Sequence, residues 1–168
     1  MRYLLFFLLL PCAGFAQTVH LEDEQIVYKG KVKVDDVEKN ELYQRARASI
    51  GQRVKNDVGN FINDSTDKNK LSAQGVLRLQ TPHSMIRKLF YRLTIEVEKE
   101  GYHYFIDSVF ISEKIRGGKT TVIPSKKLVE RMDISGPTSA QTEKLLNEID
   151  MDFQKLIALL RSDIRRKM

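Results

Sequence analysis

The sequence predicts an α+β domain in which an antiparallel sheet of about five strands carries two amphipathic helices on one face. Several short segments alternate between apolar and polar residues, which is typical of strands that bury one face. Two longer segments repeat apolar residues every three or four positions, which is typical of helices that bury one stripe. The segments follow the order β-α-β-β-β-β-α, so helices are available to cover the apolar face of the sheet.

The first strand is expected from about Ile26 to Val34. Its apolar residues alternate with lysines, and successive side chains of a strand point to opposite faces. One face of this strand therefore carries three cations, Lys29, Lys31 and Lys33. Asp35 and Asp36 follow, and because aspartate favours turns and helix starts, the strand should end there.

A helix is expected from about Glu38, because apolar residues recur every four positions along one stripe. The stripe consists of Leu42, Ala46, Ile50, Val54 and Val58. The charged and amide side chains between them, Arg45 among them, are expected to face water. Gly59 and Asn60 should lie beyond the end of the helix.

The strand pattern then returns four times. A short strand around Ile62 and a polar turn precede a longer strand that ends near Leu79, and the next strand alternates from Leu89 to Val97. Glu100-Gly101 supplies a hairpin turn. The return strand, residues 102–112, is apolar on both faces, which predicts a central position in the sheet.

The last third of the chain combines an irregular segment with a long helix. Within residues 113–137, "TTVIP" fits a short strand and "SKKLVERM" fits one or two helical turns. Thr138 and Gln141 fit a capping box, so the last helix should begin at about Ser139. Its apolar stripe consists of Leu145, Leu146, Ile149, Phe153, Leu156, Ile157, Leu160 and Ile164.

The first 16 residues have the three parts of a secretory signal peptide. Arg2 gives a positive start, residues 4–10 form an apolar run too short to span a bilayer, and small residues precede Gln17, where cleavage is expected. We therefore expect a periplasmic or secreted protein. Its parts would be a signal peptide at 1–16, a domain core at 17–137 with an irregular loop at 113–137, and a C-terminal helix at 138–168 that packs on the domain or extends from it.

Cys12 is the only cysteine of the chain, and it lies within the predicted signal peptide. A lipoprotein anchor at Cys12 is less favoured, since Pro11 occupies the position where such a site needs a small residue. The mature chain would have no disulfide and no thiolate metal site. The 28 basic and 22 acidic residues of the sequence predict a surface of mixed charge, and no segment after residue 17 is apolar enough to span a membrane.

Two segments resemble a known family. "ELYQRA", Glu41 to Ala46, opens the first helix, and the hairpin "LTIEVEKEGYHYFIDSV" runs from Leu93 to Val109. From about Ile26 onward to this hairpin, the chain resembles a domain of unknown function with a TBP-like fold, found in exported proteins of Gram-negative bacteria. The resemblance implies a curved antiparallel sheet, two helices and export. It implies no catalytic residue, because the family has no assigned activity.

The polar side of the predicted sheet is the candidate interaction face. Its residues are Lys29, Lys31, Lys33, Arg78, Arg92, Glu96 and Glu98. The cations suit an anionic partner, whereas the two glutamates would repel phosphates. A simpler interpretation is that the lysines keep an exposed strand soluble and unpaired. Nucleic acid is not expected as a partner, because the glutamates, the lack of apolar wedges beyond Phe90 and export all oppose it.

A second candidate is the loop from Lys114 to Thr121, which contains Arg116, Gly117, Gly118 and Lys119. "GGKTT" is similar to the end of a phosphate-binding loop, but Glu113 stands where that loop needs a glycine. Pro124 also arrives too soon for the helix that would follow. We therefore interpret this segment as a flexible loop that is available for a partner.

The sequence predicts no cofactor, metal site or catalytic group. His103, Asp107 and Ser108 are the residue types of a hydrolase triad, but neighbouring strand residues should point to opposite faces, so Asp107 and Ser108 should not meet. His103 and Asp107 are interpreted as a surface or half-buried pair. Glu96 and Glu98 lie about 7 Å apart by strand rise, which is a permissible separation for paired catalytic carboxylates.

These observations favour an exported, non-enzymatic interaction module for an envelope protein or glycan. One alternative is a carboxylate-dependent envelope hydrolase, for which the pair of glutamates is the minimum. Another is a structural domain that forms homo-oligomers through its C-terminal helix, which is about 42 Å long if it is straight.

Overall fold

The computed structural model describes residues 21–54, 62–64, 69–80, 85–115, 117–131 and 137–166. The predictions for the signal peptide, for Cys12 and for cleavage before Gln17 lie outside the described residues. So do those for Val58, Gly59 and Asn60, and for the capping side chain of Thr138.

An antiparallel sheet forms the centre of the fold, as predicted. A small hairpin of β1 (Leu21–Glu22) and β2 (Gln25–Ile26) precedes it. The strands of the main sheet are β3 (Tyr28–Lys33), β4 (Ile62–Asp64), β5 (Lys70–Leu79), β6 (Met85–Glu98), β7 (Gly101–Ile115) and β8 (Thr120–Pro124). Their order is β3-β7-β6-β5-β4, and β8 pairs with the later part of β7, on the side of β7 that β3 occupies earlier. The sheet is therefore five strands wide, and β7 is central as its apolar sequence predicted.

Three helices complete the domain: α1 (Lys39–Arg53), α2 (Ser125–Glu130) and α3 (Pro137–Arg165). α1 and α3 contact each other, and their apolar stripes join the core that the sheet contributes. Every residue of the predicted α3 stripe, from Leu145 to Ile164, is buried. This arrangement confirms the predicted α+β class, with both long helices on one side, here called the inner face of the sheet.

The inner face contacts α3 through a cluster of three aromatic rings and one buried hydrogen bond. Phe153 of α3 lies between Tyr28 of β3 and Tyr91 of β6, with ring centroids 5.0 and 5.3 Å away. The hydroxyl of Tyr28 donates a hydrogen bond of 2.8 Å to Asp150, whose side chain is only 1% exposed. Burial is the largest cause that raises the pKa of Tyr28, followed by this bond to Asp150. The phenol therefore stays protonated and keeps donating to the carboxylate.

Two glycines make room for tyrosine rings on the inner face. Gly75 pairs across the strands with Tyr91, and Gly30 pairs with Tyr104. A Cβ atom added at Gly75 would lie 2.1 Å from the Tyr91 ring, and one at Gly30 would lie 2.6 Å from the Tyr104 hydroxyl. Each ring thus covers the backbone of the opposite strand, which explains why glycine occupies two strand interiors despite its low strand propensity.

The prediction that Arg45 faces water is wrong. Its side chain is buried, with the residue 5% exposed, and it donates to the Glu41 carboxylate and, at 3.4 Å, to the backbone carbonyl of Ile164. The reason is tertiary: the C-terminal turn of α3 crosses α1 at this position, and a cation there complements the negative end of the α3 dipole. Periodicity within α1 contains no information about that crossing.

A polar seam runs beside Arg45 between the two helices. Asp163 of α3 accepts two hydrogen bonds from Arg53, of 2.7 and 3.0 Å, and one of 3.1 Å from Ser49. The bond from Arg53 is the largest cause that lowers the pKa of Asp163. The seam fixes the register of α3 against α1 in a way that apolar packing alone does not.

Gly75→Ala should lower the free energy of unfolding by about 1–3 kcal/mol, because the new methyl group would overlap the Tyr91 ring. Gly51→Ala is the matched control: it lies in α1 with open space around its Cβ position. Alanine there should stabilise the protein by up to about 1 kcal/mol, since it favours helix. Urea unfolding of both variants is the measurement, and a Gly75 variant as stable as the control would contradict the packing described.

Asp163→Asn should make the free energy of unfolding less dependent on pH in the acid range. A carboxyl with a lowered pKa in the folded chain stabilises it above the unfolded pKa of about 3.9, and this contribution is lost as the pH falls through the folded pKa. At pH 7 the variant should unfold at a lower urea concentration than the wild type, and the two midpoints should converge as the pH falls below the folded pKa of Asp163. Asp35→Asn, which breaks an exposed pair with Lys33, should shift the midpoint little. A gap for Asp163→Asn that is constant with pH would contradict the role assigned to this carboxylate.

Candidate functional site

The side of the main sheet opposite α1 and α3 is the candidate site, here called the outer face. Its side chains alternate with the core residues along β3, β5, β6, β7 and β8 and are exposed or half-buried, apart from Thr94. The strand registers arrange them in rows that run across the sheet. These rows differ in charge from one end of the face to the other.

One end of the outer face mixes both charges, and we call it the mixed-charge end. It consists of Lys29, Lys31, Lys33, Lys70, Glu96, Glu98 and His103. Lys31 donates a hydrogen bond of 2.8 Å to Glu98, and His103 Nε2 lies 3.0 Å from the same carboxylate. Lys29 pairs with Glu22 of β1, and Lys33 lies 3.0 Å from Asp35. Each of the three lysines of β3 thus has its own acidic partner.

These pairs bear on both interpretations of the lysines. All three lie exposed on one face, as predicted, and β3 lies at the edge of the sheet, where lysines oppose strand addition by another chain. The bond from Lys31 is the largest cause that lowers the pKa of Glu98. A general acid needs a raised pKa, so this bond opposes that role for Glu98.

A bulge divides the middle of the outer face. Ser108 has φ 54°, and the register of β7 against β6 shifts between Phe90 and Arg92. Arg92 donates two hydrogen bonds, of 2.8 and 3.0 Å, to Asp107, and the Ser108 hydroxyl donates a third of 2.9 Å to that carboxylate.

The predicted geometry of His103, Asp107 and Ser108 is corrected in two respects. Ser108 does reach Asp107, because the bulge breaks the alternation that should have separated them. The proposed pairing of His103 with Asp107 is wrong, because His103 contacts Glu98 while Asp107 binds Arg92. The histidine is four strand residues, about 13 Å, from the aspartate. These three residues therefore form no triad.

The opposite end of the outer face carries cations and apolar side chains, and we call it the basic end. Its three rows, written across β5, β6, β7 and β8, are Val76–Phe90–Phe110–Pro124, Arg78–Lys88–Ser112–Val122 and, on β6 to β8, Ile86–Lys114–Thr120. Phe90 and Phe110 stack with centroids 4.8 Å apart and planes 4° from parallel. None of these positions carries a carboxylate.

The predicted loop lies next to the basic end. It follows Ile115, the last residue of β7, and Gly117, Gly118 and Lys119 are exposed. Gly117 has φ 78°, a conformation that glycine adopts without strain. Arg116 lies outside the described residues. The fold thus places the loop beside Arg78 of the predicted face, at the end of the sheet opposite Lys31 and Glu98.

Sequence reasoning missed the aromatic pair. Phe90 was visible as an outward residue, but Phe110 lies beyond the bulge at Ser108, where simple alternation from Tyr102 assigns it to the inner face. The positive φ at the bulge, which moves Phe110 outward, belongs to Ser108. Serine is not a residue type that predicts a bulge. A run of residues apolar on both faces was the only available signal.

The described cavities lie away from the candidate carboxylates. Two open cavities, of about 280 and 600 Å³, lie near the turn between β3 and α1, and neither is lined by Glu96, Glu98 or Asp107. In the described ranges, no group of three or more His, Cys, Asp or Glu side chains is arranged to hold a metal ion. No helix in the same part of the chain has the length and apolar character that crossing a bilayer requires.

Comparison with known proteins identifies the family. Residues 28–110 match the model of a family described as a domain of unknown function (DUF4468) with TBP-like fold. These residues belong to the DUF4468 family. This match confirms the resemblance that was inferred from the first helix and the β6–β7 hairpin.

Solved structures extend the likeness of this DUF4468 protein beyond the matched residues. A TBP-like protein from Parabacteroides distasonis has a TM-score of 0.72 at 11% identity, over 89% of this chain and 99% of that chain. A DUF4468 family protein from Bacteroides ovatus has a TM-score of 0.62 at 9% identity, over 88% of this chain and 91% of that chain. Identities this low show a common fold and no more. No match is found among curated proteins.

Lys31→Met should raise the pKa of Glu98 toward its ordinary value, because the variant loses the hydrogen bond that chiefly lowers it. A carboxyl titration followed by NMR measures this directly. Lys29→Met is the matched control, since Lys29 pairs with Glu22 instead. An equal rise in both variants would show that general surface charge, and not the Lys31 bond, sets the ionisation of Glu98.

Proposed function

We propose that this DUF4468 protein is an exported, non-enzymatic interaction module that holds a protein or glycan of the bacterial envelope on its outer face. The observation that carries the proposal is the stacked pair of Phe90 and Phe110, half-buried on a face that α1 and α3 do not cover. Aromatic side chains within a polar rim are characteristic of protein interfaces. The export part of the proposal rests on the signal-peptide pattern of residues 1–16.

The hydrolase alternative has less support. Of its two candidate carboxylates, Glu96 and Glu98, the second accepts a hydrogen bond from Lys31, and this bond lowers the pKa of Glu98. The described cavities lie elsewhere. Catalysis by paired carboxylates needs one of them protonated near neutral pH, and the surroundings of Glu98 oppose that state.

The homo-oligomer alternative is also weaker than the binding module. The apolar stripe of α3 packs on the domain along its length, so this helix offers little apolar surface to a second copy. Met151 is the large apolar residue of α3 that remains strongly exposed. One such residue is far short of the area that a stable interface buries.

Site-specific photo-crosslinking in intact cells tests the proposal. A photoreactive residue in place of Gln74 samples the middle of the outer face, beside the row that contains Phe90, and the same residue in place of Gln44 samples the exposed side of α1. We expect a discrete adduct with an envelope protein or glycan from position 74 and none from position 44. Phe110→Ser in the position-74 background should reduce the adduct about tenfold or more, as loss of a central aromatic contact does. Equal adducts from both positions, or none from position 74, would refute this part of the outer face as the site of a protein or glycan partner.

The export part has its own test. Mass spectrometry of the protein from its native cells should find Gln17 at the amino terminus, in the periplasm or the medium. A chain that keeps residue 1 and stays in the cytoplasm would refute export, while leaving the crosslinking result to decide the interaction surface separately.

A further inference from the structure

The basic end of the outer face carries an excess of positive charge, unlike the rest of the face. Arg78, Lys88 and Lys114 lie on three neighbouring strands, and Lys119 follows in the adjoining loop. From strand spacing and rise, Arg78 and Lys114 are about 12 Å apart along the sheet. At the mixed-charge end, by contrast, each lysine of β3 has a carboxylate partner.

The same end also exposes large apolar side chains. Ile86 is 57% exposed and Val122 is 59% exposed. They are two of four large apolar residues with high exposure in the described part of the chain. Ile86 pairs with Lys114, and Val122 lies beyond Ser112 in the row that contains Lys88. With Arg78 they form one surface of apolar and cationic groups, drawn from β5, β6, β7 and β8.

We infer that the basic end binds the surface of an anionic phospholipid bilayer. A bilayer surface offers both chemistries in one plane: phosphates for Arg78, Lys88 and Lys114, and the boundary of the acyl region for Ile86 and Val122. A soluble acidic glycan matches the cations but leaves the apolar side chains in water. An apolar protein surface matches Ile86 and Val122 but desolvates the cations without compensation.

This inference rests on the proposed use of the outer face and specifies what one end of it meets. The aromatic pair of Phe90 and Phe110, the middle of the face and the mixed-charge end then remain available to the protein or glycan partner. Binding to lipid would orient the module on the membrane, with α1 and α3 turned away from it, because they lie on the opposite side of the sheet.

Sedimentation with lipid vesicles tests the inference on the purified protein as its cells make it. The vesicles contain phosphatidylethanolamine with or without phosphatidylglycerol. We expect binding only to the anionic vesicles, and weaker binding as salt is added. Arg78→Gln with Lys114→Gln should weaken binding about 25-fold, since each cation near an anionic surface contributes about 5-fold. Ile86→Ser with Val122→Ser should also weaken it, while leaving the dependence on salt unchanged.

The matched control removes the same charge elsewhere: Lys29→Gln with Lys31→Gln, at the mixed-charge end. A much smaller loss of binding in this control supports the inference, and an equal loss refutes it. Equal binding to neutral vesicles refutes it as well. Binding to a soluble acidic polysaccharide that is insensitive to Ile86→Ser with Val122→Ser would assign the cations to a glycan and refute the membrane.

Thermal unfolding of each variant shows whether it is folded, and the exposed positions chosen should leave the midpoint near that of the wild type. The outcome is separable from that of the proposed function. Vesicle binding without an adduct from position 74 would overturn the protein or glycan partner alone. An adduct from position 74 without vesicle binding would overturn the lipid inference alone.

Discussion

The fold depends on α3 covering the inner face of the sheet. Its stripe from Leu145 to Ile164 removes from water the apolar side of strands that have no second sheet to pack against. Without α3, the apolar side of β5, β6 and β7 would be left largely to α1, which has about half the length. Because the helices occupy only this side, the other side of a five-strand sheet remains available for contacts with something else.

Buried polar groups give this packing a single register. Two apolar surfaces can slide past each other at little cost. The hydrogen bonds from Tyr28 to Asp150 and from Arg53 to Asp163 form in one register only. If either pair separated, a buried or half-buried charge would lose its partner, which costs more than the pair contributes when it is formed. Arg45 belongs to the same set, since it joins α1 to the end of α3 from within the core.

The outer face is asymmetric because one bulge divides it. On one side of Ser108 the outward positions carry cations that have carboxylate partners. On the other side they carry Phe110 and an excess of cations beside exposed apolar groups. A β-bulge re-aims the residues that follow it, and bulges near functional sites recur for that reason. The sheet of this chain therefore presents two chemically different surfaces on one face, and among the described residues of that face the basic end combines charge with exposed apolar area.

The sequence alone determined the α+β class, the order of the main elements, the apolar stripes of both long helices and the resemblance to the family, because these follow from local periodicity and short motifs. It also placed the lysines of β3 on one face. Only the tertiary structure decided that Arg45 is buried, that His103 and Asp107 take separate partners, and that Phe110 stacks on Phe90. Each of these depends on a crossing, a register or a bulge, which are relations between distant segments. Periodicity within a single segment reports only which side of that segment is apolar.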